Sequence, residues 1–116
     1  MCINNPQKVR RKDRPKYRTA YKTLTESGCP IWYNHRVSKP YNVDGKWNKV
    51  EFENNHQKIK PNTAGFHLYL NRDEAEKQNY LSCCLVYKCE IRGVRFIGIT
   101  GVRRAATVIA TQFRVV

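Results

Sequence analysis

The run from Ser82 to the last residue constrains the fold more than any other feature. Ser82 to Ile91 (SCCLVYKCEI), Val94 to Ile99 (VRFIGI) and Ala106 to Val116 (ATVIATQFRVV) are rich in β-branched, aromatic and aliphatic residues. Such side chains suit a pleated, half-buried surface better than a helix. Arg92-Gly93 and Gly101 punctuate the series, which predicts strand, turn, strand, break, strand. Ser82 to Ile91 is the expected central strand.

Upstream segments add to the same sheet. Gly65 to Leu70 (GFHLYL) alternates, with Phe66, Leu68 and Leu70 on one face and His67 and Tyr69 on the other. His67 and Tyr69 are expected on the open face. Arg18 to Leu24 (RTAYKTL) places Ala20, Lys22 and Leu24 on one face and Thr19, Tyr21 and Thr23 on the other. Glu26-Ser27-Gly28 reads as a turn. Cys29 to Tyr33 reads as an edge strand because of Pro30. Asp44-Gly45, flanked by Tyr41, Val43 and Trp47, signals a hairpin, and Lys49 to Glu53 alternates as an exposed strand would. One helix is expected, over residues 72–80. Asn71 is its N-cap, Glu74 its capping-box partner, and Asp73, Glu74 and Glu76 complement the helix dipole. The expectation is an α+β fold, a mainly antiparallel sheet of five to seven strands with one short helix.

The chain has 116 residues, the size of one domain. Its charge is uneven. Lys and Arg number 22 against nine Asp and Glu, a net +13. Lys8, Arg10, Arg11, Lys12, Arg14, Lys16, Arg18 and Lys22 face Asp13 alone, so over half the net charge lies in the first fifth. Pro6 and Pro15 oppose a continuous helix there. Residues 1–17 therefore read as a basic N-terminal arm and residues 18–116 as a single α+β domain. Self-repulsion on this scale calls for an anionic partner, a phosphate-bearing nucleotide or nucleic acid.

The five cysteines are odd in number and follow no apolar leader, which predicts free thiols in a reducing, cytoplasmic setting. No stretch approaches the length of a membrane span, so no membrane partner is expected. His35, His56 and His67 are scattered, and no Cys pair has zinc-knuckle spacing, so neither metal nor cofactor is expected.

Three groupings suggest chemistry. His67 beside Tyr69 could do metal-free acid/base work on a phosphodiester. Cys2, if Met1 is removed, gains an α-amine as local base for its thiol. Gly98-x-x-Gly101 with Arg103-Arg104 could grip a phosphate, although a solvent-exposed turn with two surface arginines explains it slightly better. Tyr17, Tyr21, Trp32, Tyr33, Tyr41 and Trp47 also interleave with Lys22, His35, Arg36, Lys39 and Lys46, as rings and cations do where bases stack and phosphates are held. A core cluster is the alternative for Trp32 and Trp47.

Met1-Cys2, Tyr21-Lys22, Gly65-Phe66-His67, Asp73-Glu74-Ala75 and Cys89-Glu90 occur in an order that resembles a loose group of short uncharacterised proteins of phages and large DNA viruses. The resemblance implies a viral accessory protein that counters host defence. It would sequester or cleave a nucleotide immune signal such as a cyclic di- or oligonucleotide. In a cleaving version, a metal-independent phosphodiesterase, His67 is the acid/base and Cys2 the nucleophile. Lys22, Arg103 and Arg104 neutralise phosphate, and Tyr69 and Tyr21 orient the substrate. Two alternatives stand beside it. One is a non-enzymatic nucleic-acid-binding protein whose arm, Lys8 to Arg18, tracks the backbone; the other is a virion or host-protein interaction module.

Overall fold

The computed structural model describes residues 3–28, 40–49, 65–78, 84–100 and 105–116. Among these, the strands are β1 (Ile3–Lys8), β2 (Thr19–Thr25), β3 (Asn48–Lys49), β4 (Phe66–Tyr69), β5 (Cys84–Thr100) and β6 (Ala105–Val115), with one helix, α1 (Arg72–Gln78). The fold is α+β, an antiparallel six-stranded sheet with one short helix.

β5 organises the sheet. One edge pairs with β2 through Cys84–Glu90 and with β1 through Phe96–Thr100; the other pairs with β6 from Cys89 to Thr100. The far edge of β6 receives β4 and β3. β2 and β4 meet at Tyr21 and Tyr69, so β5, β2, β4 and β6 form a closed ring. Closing a sheet removes strand edges that would otherwise template pairing with another chain.

The ring encloses the main core: Ala20, Leu24, Leu68, Cys89, Ile91, Val94, Val108, Ala110 and Phe113. Tyr41, Phe66 and Phe113 add an edge-to-face trio with centroids 4.8–5.5 Å apart. A second cluster holds Tyr69, Ala75 and Ala105, with Tyr21 and Val86 packed against it. Here α1 covers the sheet. Glu74 fixes the helix: its Oε2 accepts from Asn71 Nδ2 at 3.2 Å and from the Ala106 backbone N–H at 2.9 Å. The expected capping pair thus meets side chain to side chain and also ties α1 to β6. Residues 79 and 80, the expected end of the helix, lie outside the described residues.

Three sequence expectations change. Arg92-Gly93 does not separate two strands, because β5 runs through it for 17 residues. Gly93 has φ +66°, and β6 pairs on both sides of it, Arg92 with Gln112 and Val94 with Ala110. The register then shifts between Val94 and Phe96. A left-handed glycine next to a bulge bends a strand without ending it. At Asp44-Gly45 the turn forms, but side-chain bonds close it rather than a hairpin ladder. Asn42 N–H donates to Asn48 Oδ1 at 2.7 Å, and Asn48 Nδ2 donates to the Asn42 carbonyl at 3.0 Å.

The third change is at the N-terminus. The segment read as an arm contributes β1, and Val9 beyond it is buried in the main core, its N–H donating to the Arg95 carbonyl at 2.9 Å. A 3-10 turn over Arg14–Lys16 follows, and Pro15 fits such a first turn because its missing N–H has no partner to lose. The expected edge strand over 29–33 lies outside the described residues, as does the expected strand over 49–53 apart from Lys49, which ends β3.

Candidate functional site

An open cleft of about 790 Å³ lies where the 3-10 turn and the start of β2 face the middle of β5. Arg14, Tyr17, Arg18 and Thr19 line one wall; Lys88, Glu90, Ile91, Arg92 and Gly93 line the other. The second wall follows from strand parity. Cys89 and Ile91 point into the core, so Lys88, Glu90 and Arg92 share the outer face at every second residue. Gly93 bends β5 at the end of this row.

The electrostatics are one-sided. Four cationic side chains line the cleft against one acidic side chain, Glu90, with Val116 beside Lys88, its N–H donating to the Lys88 carbonyl. The Glu90 carboxylate is engaged elsewhere: its Oε2 accepts from Arg114 Nε at 3.0 Å and from a terminal guanidinium nitrogen at 2.6 Å. Among the described residues no acid pairs with Arg14, Arg18, Lys88 or Arg92. Arg18 Nε donates to the Pro15 carbonyl at 3.2 Å, which fixes its stem, and Arg14 Nε is buried with no hydrogen-bond partner. Arg92 stacks its guanidinium 4.1 Å from the Trp47 ring centroid, and Arg114 lies 5.0 Å from the same ring. Trp47 therefore holds one cleft cation in place while Glu90 neutralises its neighbour.

Other expected site residues fall elsewhere. Lys22 lies on the inner face of β2, between the fully buried Ala20 and Leu24. Its Nζ donates to the His67 carbonyl at 2.9 Å and lies 5.6 Å and 5.7 Å from the Tyr41 and Phe113 ring centroids. Desolvation pushes the amine down to about 8, against the smaller opposing influence of Cys89. Burial pushes the Cys89 thiol up to about 11. Lys22 faces the core and not the cleft. Tyr21 and Tyr69 sit under α1 rather than on an open face, because Ala75 and Ala105 pack on them. His67, part-buried on β4, does not line the cleft either. Cys2, Arg103 and Arg104 lie outside the described residues, as do His35, Arg36, Trp32 and Tyr33.

The basic N-terminal residues divide. Arg14 and Arg18 enter the cleft, while Lys8, Arg10, Arg11 and Lys12 are exposed along β1 and the turn after it. Lys16 pairs with Asp13 at 3.3 Å on the surface. Sequence reasoning missed Lys88, Glu90 and Arg92. Their signal is the alternation K-x-E-x-R, which on a strand puts three charged groups on one face. Among the described residues no group of three or more His, Cys, Asp or Glu could hold a metal ion, and no helix is long and apolar enough to cross a membrane. No protein-family model, curated protein or solved structure matches this chain.

Proposed function

We propose that this protein binds a phosphate-bearing nucleotide ligand in the cleft between the 3-10 turn and β5. One observation carries the reading: Arg14, Arg18, Lys88 and Arg92 line one concavity, and among the described residues no acidic side chain pairs with them. Guanidiniums without a carboxylate partner are suited to phosphate oxygens, which they can grip through two parallel bonds. The cleft volume falls in the range of small-molecule sites. Tyr17 and the Arg92–Trp47 stack add aromatic surface at or beside it.

Binding is favoured over bond cleavage. The acid/base and orienting groups expected for cleavage, His67 and Tyr69, do not line the cleft, and the lining residues include neither histidine nor cysteine. A viral accessory role, withdrawing a host nucleotide signal such as a cyclic di- or oligonucleotide by sequestration, fits a site that holds phosphate without attacking it. Isothermal titration with nucleoside triphosphates, cyclic dinucleotides and short oligonucleotides tests the reading. The wild type should bind at least one class, and Arg14→Ala with Arg92→Ala should weaken it about 10-fold or more. Equal affinity in the double variant refutes the assignment.

The exposed Lys8, Arg10, Arg11 and Lys12, continuous in sequence with Arg14, favour a second reading, single-stranded nucleic acid. In that case affinity falls about 50-fold between 50 and 200 mM salt if four phosphates are engaged. Removing the charges of Lys8, Arg10, Arg11 and Lys12 then weakens binding as much as removing the cleft arginines.

A further inference from the structure

A polar row crosses β2, β5 and β6 on the outer face of the sheet. Glu90 lies opposite Thr19 on one side and opposite Arg114 on the other. The adjacent register pairs, Ala20 with Cys89 and Ile91 with Phe113, are buried, so strand parity turns this row outward. Thr19 and Glu90 line the cleft, and Arg114 does not. Arg114 places both of its bonds on one carboxylate oxygen, Oε2, at 3.0 Å and 2.6 Å. Among the described residues the other oxygen, Oε1, and the Thr19 hydroxyl have no hydrogen-bond partner. The carboxylate is thus anchored through one oxygen and keeps the other as an acceptor.

The neighbours decide what that acceptor suits. Lys88, Glu90 and Arg92 follow one another along β5 at every second residue, about 7 Å apart, so this wall reads cation, anion, cation. A polyphosphate laid along it would press negative charge onto Glu90. A ligand whose phosphates flank a neutral hydroxyl matches the order. A guanine edge offers two donors side by side and calls for two free carboxylate oxygens, but Oε2 is already taken twice. A sugar hydroxyl offers one donor, and a carboxylate is a common acceptor for it. When both the 3′ and 5′ positions of a ribose carry phosphate, the 2′-hydroxyl is the one left to donate. We infer that Glu90, with Thr19 beside it, accepts the 2′-hydroxyl of a ribose held between two phosphates, so that the cleft takes 3′,5′-linked ribonucleotides over their 2′-deoxy counterparts. Lys88 and Arg92 hold the flanking phosphates. The inference rests on the nucleotide reading of the cleft and adds the class of sugar and linkage to it.

The test titrates the intact protein with cyclic di-AMP, cyclic di-GMP and short oligoadenylates, each beside its 2′-deoxy counterpart, and with ATP, which has no 3′ phosphate. A deoxy sugar leaves the anchored carboxylate facing the ligand without a donor, so the wild type should bind the ribose forms about 10-fold or more tightly. In Glu90→Ala the ratio should fall to within about twofold of one, because the acceptor is gone while the phosphate contacts remain. That variant also releases Arg114. Glu90→Ala with Arg114→Ala, which keeps the wild-type net charge, should show the same lost preference. Equal affinity for the two sugars in the wild type, or binding of ATP alone, overturns the inference and leaves the nucleotide reading standing. A preference for ribose that survives in both variants overturns the role of Glu90. A preference for guanine with either sugar, abolished in both variants, assigns the carboxylate to the base and overturns it too. Binding of none of these compounds ends the nucleotide reading and the inference together.

Discussion

Replacing Lys22 with methionine isolates the cost of a charge on the inner face of the sheet. The amine titrates at about 8 in the folded chain against 10.5 for an ordinary lysine. At about 1.4 kcal/mol per pKa unit, that gap corresponds to about 3 kcal/mol. Loss of the bond to the His67 carbonyl returns about 1 kcal/mol, so Lys22→Met should stabilise the fold by about 2 kcal/mol at pH 7. Below pH 8 both folded and unfolded chains keep the proton, and the penalty is fully present. From about 8 to 10.5 the unfolded chain holds a proton that the folded chain has released, so stability rises with pH. Cys89 acts in the opposite direction from 9.0 to about 11, because there the unfolded chain has lost a proton that the folded thiol keeps. The wild type should therefore gain about 1 kcal/mol from Lys22 between pH 8 and 9, and stay nearly level from 9 to 10.5 as the two contributions cancel. Urea unfolding followed by tryptophan fluorescence at pH 7, 8, 9 and 10, on both proteins, reads the difference directly. A destabilised Lys22→Met variant refutes the reasoning, and so does the same rise between pH 8 and 9 in both proteins.

Gly93→Ala should cost about 1–3 kcal/mol, because φ is +66° and a Cβ would run into Thr111 Oγ1; an unchanged melting temperature would contradict the bend assigned to Gly93. Trp47→Leu should weaken nucleotide binding through Arg92, so its effect and that of Arg92→Ala should be strongly non-additive in a double-mutant cycle, whereas Trp47→Leu and Arg14→Ala should add. His67→Ala should leave ligand affinity within about twofold, as His67 does not line the cleft; a loss of binding would move the site to β4.

Much of the fold was legible because period-two patterns survive wherever one face of a strand is buried. GFHLYL put Leu68, which is fully buried, on its core face, although Tyr69, expected on the open face, is buried under α1; in RTAYKTL the alternation grouped Ala20 and Leu24, both fully buried. Asn71 and Glu74 announced the helix. The bend at Gly93 was misread because the same dipeptide serves a turn or a bulge, and only a long partner such as β6 decides between them. β1 was hidden because INNPQK has no apolar alternation; Val9, one residue beyond it, carries its anchorage in the core.

The site was less legible, for a physical reason. A cleft is made by the approach of segments far apart in the chain, and Arg14 lies more than seventy residues from Lys88. Charge density along the sequence pointed to the N-terminal residues, yet what concentrates the field is the second wall, Lys88 and Arg92, on a strand read only for its hydrophobic pattern. Lys22 shows the converse. Its place on the face of Ala20 and Leu24 was visible in the alternation, and that parity sends it inward, away from the phosphate role its charge suggested.

The most direct test of the central claim is retention of ligand by the purified wild type and by the Arg14→Ala, Arg92→Ala double variant. Each would be incubated with nucleoside triphosphates, cyclic dinucleotides and short oligonucleotides, then filtered, with mass spectra taken before and after heat denaturation. The account predicts that the wild type withholds at least one nucleotide and releases it unchanged on heating, while the double variant leaves it in the filtrate. A wild type that retains none of them, or a double variant that retains the same ligand equally well, would contradict it.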